Sequence, residues 1–529
     1  MKKEAAILKR ALQRLGKALP NGFTLLAALL IFLILTILLV FQSSFSFAYR
    51  NGSLFSNLLL LPIILMLLGL CAWACALIHK RRGHSSRRML SRKRFLVLLC
   101  LGNALLLPVQ LVMVRSLWFF PAWDPQNCWQ AAMELANGQP FTLAEYFQLC
   151  PNNAPISLVL TAPMWAGVKL GLAEPFILLP SLGALLMNLA SLFTVLCVER
   201  ISRSRAATLF GYALSTVFVL LSPYLSVPYT DSYAVLFPIL ALFLSLTRLR
   251  PPLKWFLVAL AISLGAAIKP TVWIVVIALL LVKGPYLLAA LPLPRDLLKR
   301  VLASALALLL GLLPGIALEK AACMVLAGSP VPQGQLSMTH YLMLGMNDTT
   351  YGGHSPEDVE YSRSFPTLKQ RQQANVRKAW ERVKARSLVQ NVRFFAIKLY
   401  KAYNSGTFAF NGSFLPHATP KRTDPLSLFL RSIYDGKGKF NLIYRTVYQG
   451  LWLLILILCL PALLLGRKRC GVLAMLALVV LGVSAYLMFF EVWPRYLFLY
   501  APFFVALAAL GMRETCRRLG PFLAGSKNP

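Results

Sequence analysis

The chain has 529 residues, 58% of them hydrophobic and only 14% charged. Soluble proteins carry about 45–50% apolar and about 25% charged residues, so these proportions exclude a soluble globular enzyme. Lys and Arg number 54 against 18 Asp and Glu, a net charge of +36. In a membrane chain such an excess marks cytoplasmic loops before it marks nucleic acid.

A spanning helix needs about 20 mainly apolar residues. In chain order the qualifying runs are 23–42, 54–78, 95–118, 175–198, 207–226, 231–247, 254–268, 271–288, 301–327, 449–466, 471–489 and 496–512. The run at 23–42 is long and lacks a clear small-residue cleavage site, so it reads as a retained span. The N-terminal segment 1–22 holds six cations and one acid, and 79–94 holds eight cations and no acid. ERISRSRA, RLRPPLK, 283–300, GRKR and the C-terminal tail add three or four cations each. With twelve spans all of these fall on one side, the cytoplasm, together with both termini. Together they hold 31 cations and four acids, so most of the charge excess is a topology signal and no nucleic-acid partner is needed. The apolar run 156–172 would break this parity, and it reads as a juxtamembrane or re-entrant helix. The expected organisation is 1–94, a basic segment with two spans; 95–327, a transmembrane core with a first outer loop at 119–174; 328–448, a large outer loop region; and 449–529, the last spans and tail.

Ionisable groups that a bilayer makes costly mark function, and here they gather on the outer side. Asp124 follows span three among Trp118, Phe119, Phe120 and Trp123. A partly desolvated carboxylate there suits a general base; Asp124 followed by Pro125 also suits a helix N-cap. Asp231 in YTDSY faces the same choice between a site acid and the cap of span six. Lys269, before the helix-breaking Pro270, suits a phosphate or a snorkelling lysine. Arg495 can grip a phosphate with two parallel bonds, or pair with Glu491 to hold a turn. The loop 328–448 holds 17 cations and seven acids, a basic surface suited to phosphate-bearing lipids or acidic polymers. Its segment 366–402 reads as a basic amphipathic helix on the membrane surface. His340, Asn347, Asp348, His354, Glu357 and Asp358 cluster around GMNDTTYGGHSPEDVE. They could line a sugar site or bind a cation, but the spacing matches no strong metal pattern, so a polar loop is the default reading. Cys128 and Cys150 share the first outer loop, where a disulfide or two separate thiols are both open.

This order of features resembles the GT-C glycosyltransferases, which include protein O-mannosyltransferases, aminoarabinose transferases and oligosaccharyltransferases. The motifs WDPQNCWQAA, YFQLCPNNAP, PYTDSYAVLFPIL, AAIKPTVWI, HYLMLGMNDTTYGGHSPEDVEYS, KLYKAYNSGTFAFNGSF and WPRYLF look closer to a Gram-positive bacterial branch. The resemblance runs from about residue 95 onward; 1–94 looks like an addition to the shared core. It implies an all-α polytopic membrane protein with a GT-C-like core of about 12 helices (11–13). It also implies a polyprenyl-phosphate-linked sugar donor and a cell-envelope acceptor entering from outside a bacterial plasma membrane. Asp124 would be the catalytic base and Asp231 the second-loop acid. Lys269 and Arg495 would hold the donor phosphate, and transfer would proceed with inversion. Glu134, Asn152, Asn153, Tyr229, His340, Asn347, Asp348, Asp358 and Glu491 are acceptor or sugar-binding candidates. The metal-dependent members carry two acids at the second turn, whereas Ser232 and Tyr233 follow Asp231 here, which gives weak ground for a divalent metal. Ser405 stands where an Asp would precede Gly-Thr-Phe. The competing classes are a flippase for a lipid-linked sugar and a cell-wall assembly factor. A flippase would place its site near the midplane of repeated halves, and no internal repeat is visible.

Overall fold

The structure, a computed structural model, describes residues 2–40, 54–82, 90–289, 294–414, 416–418, 422–466 and 470–523. Parts of the basic connections 79–94, 283–300 and GRKR, and the end of the C-terminal tail, lie outside the described residues.

The first half comprises α1 (Lys2–Val40), α2 (Asn57–Arg82), α3 (Arg92–Leu117), α4 (Asp124–Asn137), α5 (Ala144–Leu149), α6 (Ala154–Lys169) and α7 (Leu178–Ser202). Then come α8 (Arg205–Ser215), α9 (Thr230–Ala234), α10 (Leu236–Ser245), α11 (Pro251–Ile268), α12 (Trp273–Ala289) and α13 (Arg295–Ala327). The long connecting region holds α14 (Met338–Gly345), α15 (Pro356–Arg363), α16 (Leu368–Ala385), α17 (Leu388–Tyr403), α18 (Phe410–Ser413) and α19 (Pro425–Tyr434). The chain closes with α20 (Asn441–Leu465), α21 (Cys470–Phe489) and α22 (Ala501–Leu523).

This is an all-α polytopic membrane protein. Nine described helices are long and apolar enough to cross a membrane, and three shorter apolar ones cover Asn57–Leu70, Thr230–Ser245 and Pro270–Pro285. Each of the twelve runs expected from the sequence falls on one of these. α6 has only 16 residues, just short of the roughly 17–25 a crossing takes. It packs along α4 in the layer formed by the first loop.

Small residues set the closest helix contacts, as they do where lipid supplies no hydrophobic drive between helices. In α13 the sequence GLLPG puts Gly311 and Gly315 one turn apart against α11. A Cβ on Gly315 would lie 2.2 Å from the Ser263 carbonyl oxygen, and Ser263 Oγ donates to Gly311 O at 2.9 Å. A Cβ on Gly511 in α22 would lie 1.7 Å from Leu458 O in α20. α22 is the central stave, 89% buried over its apolar window, against 11% for the peripheral α13. Polar side chains in the bundle satisfy one another. Asn103 Nδ2 donates to Asn188 Oδ1, Asn188 Nδ2 to Gln110 Oε1, and Gln110 Nε2 to Leu220 O, joining α3, α7 and the fifth span, 207–226. α1 packs against α12, α20 and α21, and α2 against α20 and α22.

The region after α13 folds back over one end of the bundle. Leu336 N donates to Leu149 O, and Val492 N to Gly352 O. A short antiparallel ribbon pairs Phe120 with Ala418 and Pro121 with Pro416. The expected single amphipathic helix over 366–402 is instead two. Arg386 is extended, and Ser387 starts α17 with a capping box to Gln390. Nor does all of this segment lie on the surface. Lys398 through Tyr403 are buried; Lys398 Nζ donates to Gly345 O at 2.6 Å and to Phe490 O at 2.7 Å, which spends its charge inside the fold.

Over-packing a close helix contact costs about 1–3 kcal/mol. G315A and G511A should each lower the thermal midpoint of the purified protein in detergent. G69A, on an open helix face with nothing within 4 Å, should leave it unchanged. Differential scanning fluorimetry measures all three.

Candidate functional site

The chain leaves α3 at Trp118 and turns back at Trp123, whose backbone sits at φ 60°, ψ −139°. A tryptophan rarely adopts a positive φ, and such strain concentrates where position matters. Trp123 is the N-cap, so Asp124 and Pro125 are the first two helical residues. The cap reading of Asp124 is therefore off by one, because the bend occurs at Trp123. Its half-buried carboxylate makes no cap bond. It sits at the positive end of the helix dipole and accepts a hydrogen bond from Tyr146 OH at 2.8 Å.

From Tyr146 a chain of hydrogen bonds runs inward. Asn153 Nδ2 donates to Tyr146 OH at 2.6 Å, and Tyr229 OH donates to Asn153 Oδ1 at 3.0 Å. Burial and the adjacent Asp124 charge push the Tyr146 phenol well above its ordinary pKa, so it stays protonated and remains a donor. Tyr229 then presents its ring to Arg495, 5.7 Å from the guanidinium carbon; Phe414 at 5.5 Å and Tyr496 at 5.4 Å complete an aromatic cage. Lys269 Nζ lies 5.1 Å from the Tyr496 ring. Tyr496 OH donates to Glu491 Oε2 at 2.6 Å.

Lys269 caps α11 in an extended conformation, since Pro270 ends the helix there. Its ammonium pairs with Asp231. Asp231 is 1% exposed and Lys269 8%. Asp231 lies in the first turn of α9 behind the Tyr229 cap, so its carboxylate serves the ion pair and not the helix end. Lys269 is thus matched by a carboxylate, and Arg495 makes no ion pair among the described residues. Glu491 bonds to Tyr496 and not to Arg495, which replaces the expected turn pair. Two buried atoms lack hydrogen-bond partners here: Asp231 Oδ2 and Arg495 Nε.

Asp124, Asn153, Tyr229, Asp231, Lys269, Glu491 and Arg495 therefore belong to one assembly. The other candidates lie apart. Glu134 accepts from Thr142 N and Oγ1, holding the turn after α4. Asn152 is exposed. Asp348 pairs with Arg386 at 3.1 Å. His340 is buried, with Nδ1 2.7 Å from Ser362 Oγ. Asn347 donates to Asp358, and Arg382 grips Asp358 with two bonds of 2.6 and 2.9 Å. These polar groups are occupied in joining α14, α15 and α16, while His354 and Glu357 are exposed. Among the described residues no three His, Cys, Asp or Glu side chains gather as a metal group. Cys128 and Cys150 are free thiols, which settles the open pairing against a disulfide; Cys128 Sγ instead points at Asn153 O. Tyr146, Phe414 and Tyr496 were not singled out in the sequence. All three do lie within quoted motifs, YFQLCPNNAP, KLYKAYNSGTFAFNGSF and WPRYLF, but only contact in space assigns them to the site.

Breaking one half of a buried ion pair leaves an uncompensated charge and costs about 3–5 kcal/mol, whereas replacing both halves can be neutral. D231N alone and K269M alone should each destabilise the protein strongly in chemical denaturation, and the D231N/K269M double variant should recover most of the loss. A second outcome concerns pH. Burial drives His340 down to about 4, with Asp358 opposing and His354 and Arg371 assisting. An unfolded histidine binds its proton near 6.5, so between 6.5 and 4 the unfolded state holds more protons. Stability from this residue should be full above pH 6.5, fall as pH drops toward 4, and level off below. Denaturation of wild type and H340Q at pH 7.5, 5.5 and 4.5 should show a gap between them that shifts over that window.

No curated protein and no solved structure matches this chain. The model of one family, described as conserved hypothetical integral membrane protein, matches residues 20–516. The chain, an integral membrane protein, belongs to that family.

Proposed function

We propose that this protein is a membrane glycosyltransferase. It moves a sugar from a polyprenyl-phosphate donor to a cell-envelope acceptor on the outer face of a bacterial plasma membrane. The observation that carries this reading is the single assembly in which a half-buried carboxylate, Asp124, connects through Tyr146, Asn153 and Tyr229 to the Arg495 guanidinium. The resemblance of the motifs to the GT-C enzymes supports it further.

In this reaction Asp124 accepts the proton of an acceptor hydroxyl. The hydroxyl oxygen forms a bond to the anomeric carbon as that carbon's bond to the phosphate oxygen breaks, with inversion. The phosphate leaves with the electron pair, and Arg495 stabilises its negative charge. Tyr146 holds the Asp124 carboxylate in place through its hydrogen bond. Lys269, already matched by Asp231, sets the local field and anchors the break between α11 and α12, so the donor contact falls mainly to Arg495. The site end of the bundle faces outward in this reading, because the basic connections mark the opposite end.

General-base catalysis contributes about 10²–10⁴-fold. D124N, purified at wild-type thermal stability, should transfer labelled sugar at least a hundredfold more slowly from a panel of polyprenyl-phosphate sugars to envelope extracts. Equal rates for D124N and wild type would remove Asp124 as the base. Transfer from no donor, with labelled lipid instead crossing proteoliposome bilayers, would replace the enzyme with a flippase.

A further inference from the structure

A concave cleft lies away from this site. It holds about 850 Å³ at the other end of the same helices. α12 runs from its break beside Lys269 to Lys283, 14 residues on, which at 1.5 Å per residue is about 21 Å. α7, α10 and α21 each likewise have one end near the site and the other at this cleft.

Five cations from four different connections converge on it: Arg92, Arg200, Arg203, Arg248 and Lys283. The orientation signal explains why cations sit at this end of the bundle. It does not explain why they surround one concavity, where like charges repel unless an anion joins them. Protein groups offset only part of this charge. Arg92 binds Glu199 with two bonds of 2.8 and 2.9 Å, and Arg200 donates to Leu246 O at 2.6 Å. Arg203, Arg248 and Lys283 make no ion pair among the described residues. Arg203 is held at φ 50° as the left-handed C-cap of α7, a conformation that L-residues seldom adopt. Ser245 adds a polar group to the lining, and Ile201, Leu246, Val472 and Met475 form an apolar wall.

We infer that this cleft is an anion site for a phosphate-bearing headgroup, with Arg203, Arg248 and Lys283 as its contacts. Arginine and lysine together suit phosphate oxygens, the one by its two-pronged fork and the other as a point charge. The apolar wall suits the glycerol and first methylenes of a lipid, which makes an anionic lipid the fitting source. A basic pocket between transmembrane helices is a common form of headgroup site. The inference is independent of the glycosyl-transfer reading, since it uses none of the residues of that site.

The full-length protein in neutral detergent tests it, with phosphatidylglycerol, phosphatidylcholine and inorganic pyrophosphate as probes and native mass spectrometry and thermal shift as readouts. Wild type should bind phosphatidylglycerol at least tenfold more tightly than phosphatidylcholine, and binding should weaken with salt. R203Q/R248Q/K283Q should lose at least tenfold in affinity. The charge-retaining R203K/R248K/K283R should stay within threefold of wild type and guards against a loss caused by misfolding. Pyrophosphate competing for the same site would show that the phosphate group alone suffices; phosphatidylglycerol binding without competition would assign the site to lipid. The inference is overturned if neither anion binds, if the glutamine variant binds like wild type, or if the charge-retaining variant loses as much as the glutamine variant.

Discussion

The buried pair between Asp231 and Lys269 is the constraint around which one end of this bundle is arranged. Within a low-dielectric interior neither charge is tolerable alone, so the two must meet. Their meeting fixes the start of α9 against the break between α11 and α12. Pro270 makes the break, and the break frees Lys269 to extend away from a helical path. Tyr229, two residues before Asp231, is carried into place as the α9 cap. Tyr496 closes over the lysine, and Arg495 beside it turns toward Tyr229 and Phe414. One ion pair thus positions residues from four distant parts of the chain.

The same constraint divides the site chemically. A lysine whose charge is matched by a carboxylate has less attraction left for an incoming anion. An arginine held by rings keeps its charge available, because a ring face offers only a quadrupole and no formal negative charge. At the far side Asp124 is half-buried and bonded to one phenol, which leaves acceptor capacity on its carboxylate. Carboxylate and guanidinium are therefore separated by a relay of neutral groups, Tyr146, Asn153 and Tyr229, and do not neutralise each other.

The spans were legible because an apolar run of about 20 residues has few alternatives in a membrane. Their order also revealed where the polar residues gather. What sequence could not give was pairing. Asp231 and Lys269 are 38 positions apart, and each carries a plausible local role, a cap and a snorkelling cation, that the fold does not use. Asp124 looked like a cap because Pro125 follows it, but the backbone reversal at Trp123 moves the cap back one residue. The run 366–402 kept a helical period across Arg386, so the break was hidden, although Ser387 with Gln390 three residues later is a readable helix start. His340, Asn347 and Asp358 looked like a site because polar residues cluster there. In the fold that cluster is spent on holding three short helices together, as Arg382 shows by taking both oxygens of Asp358.

Charge and aromaticity divide the two ends of the bundle in a way that composition alone concealed. At one end three cations inside the fold meet specific partners: Lys269 meets Asp231, Lys398 two carbonyls and Arg495 three rings. At the other, several arginines and a lysine surround a cleft with a single carboxylate, Glu199, bound to one of them. An ammonium in place of Arg495 in its cage would carry a larger desolvation cost, since guanidinium is the more weakly hydrated ion. Lysine is workable at 269 because a carboxylate meets it there. The choice of cation at each position follows from what faces it, a ring or a carboxylate, and that is a property of the fold and not of the local sequence.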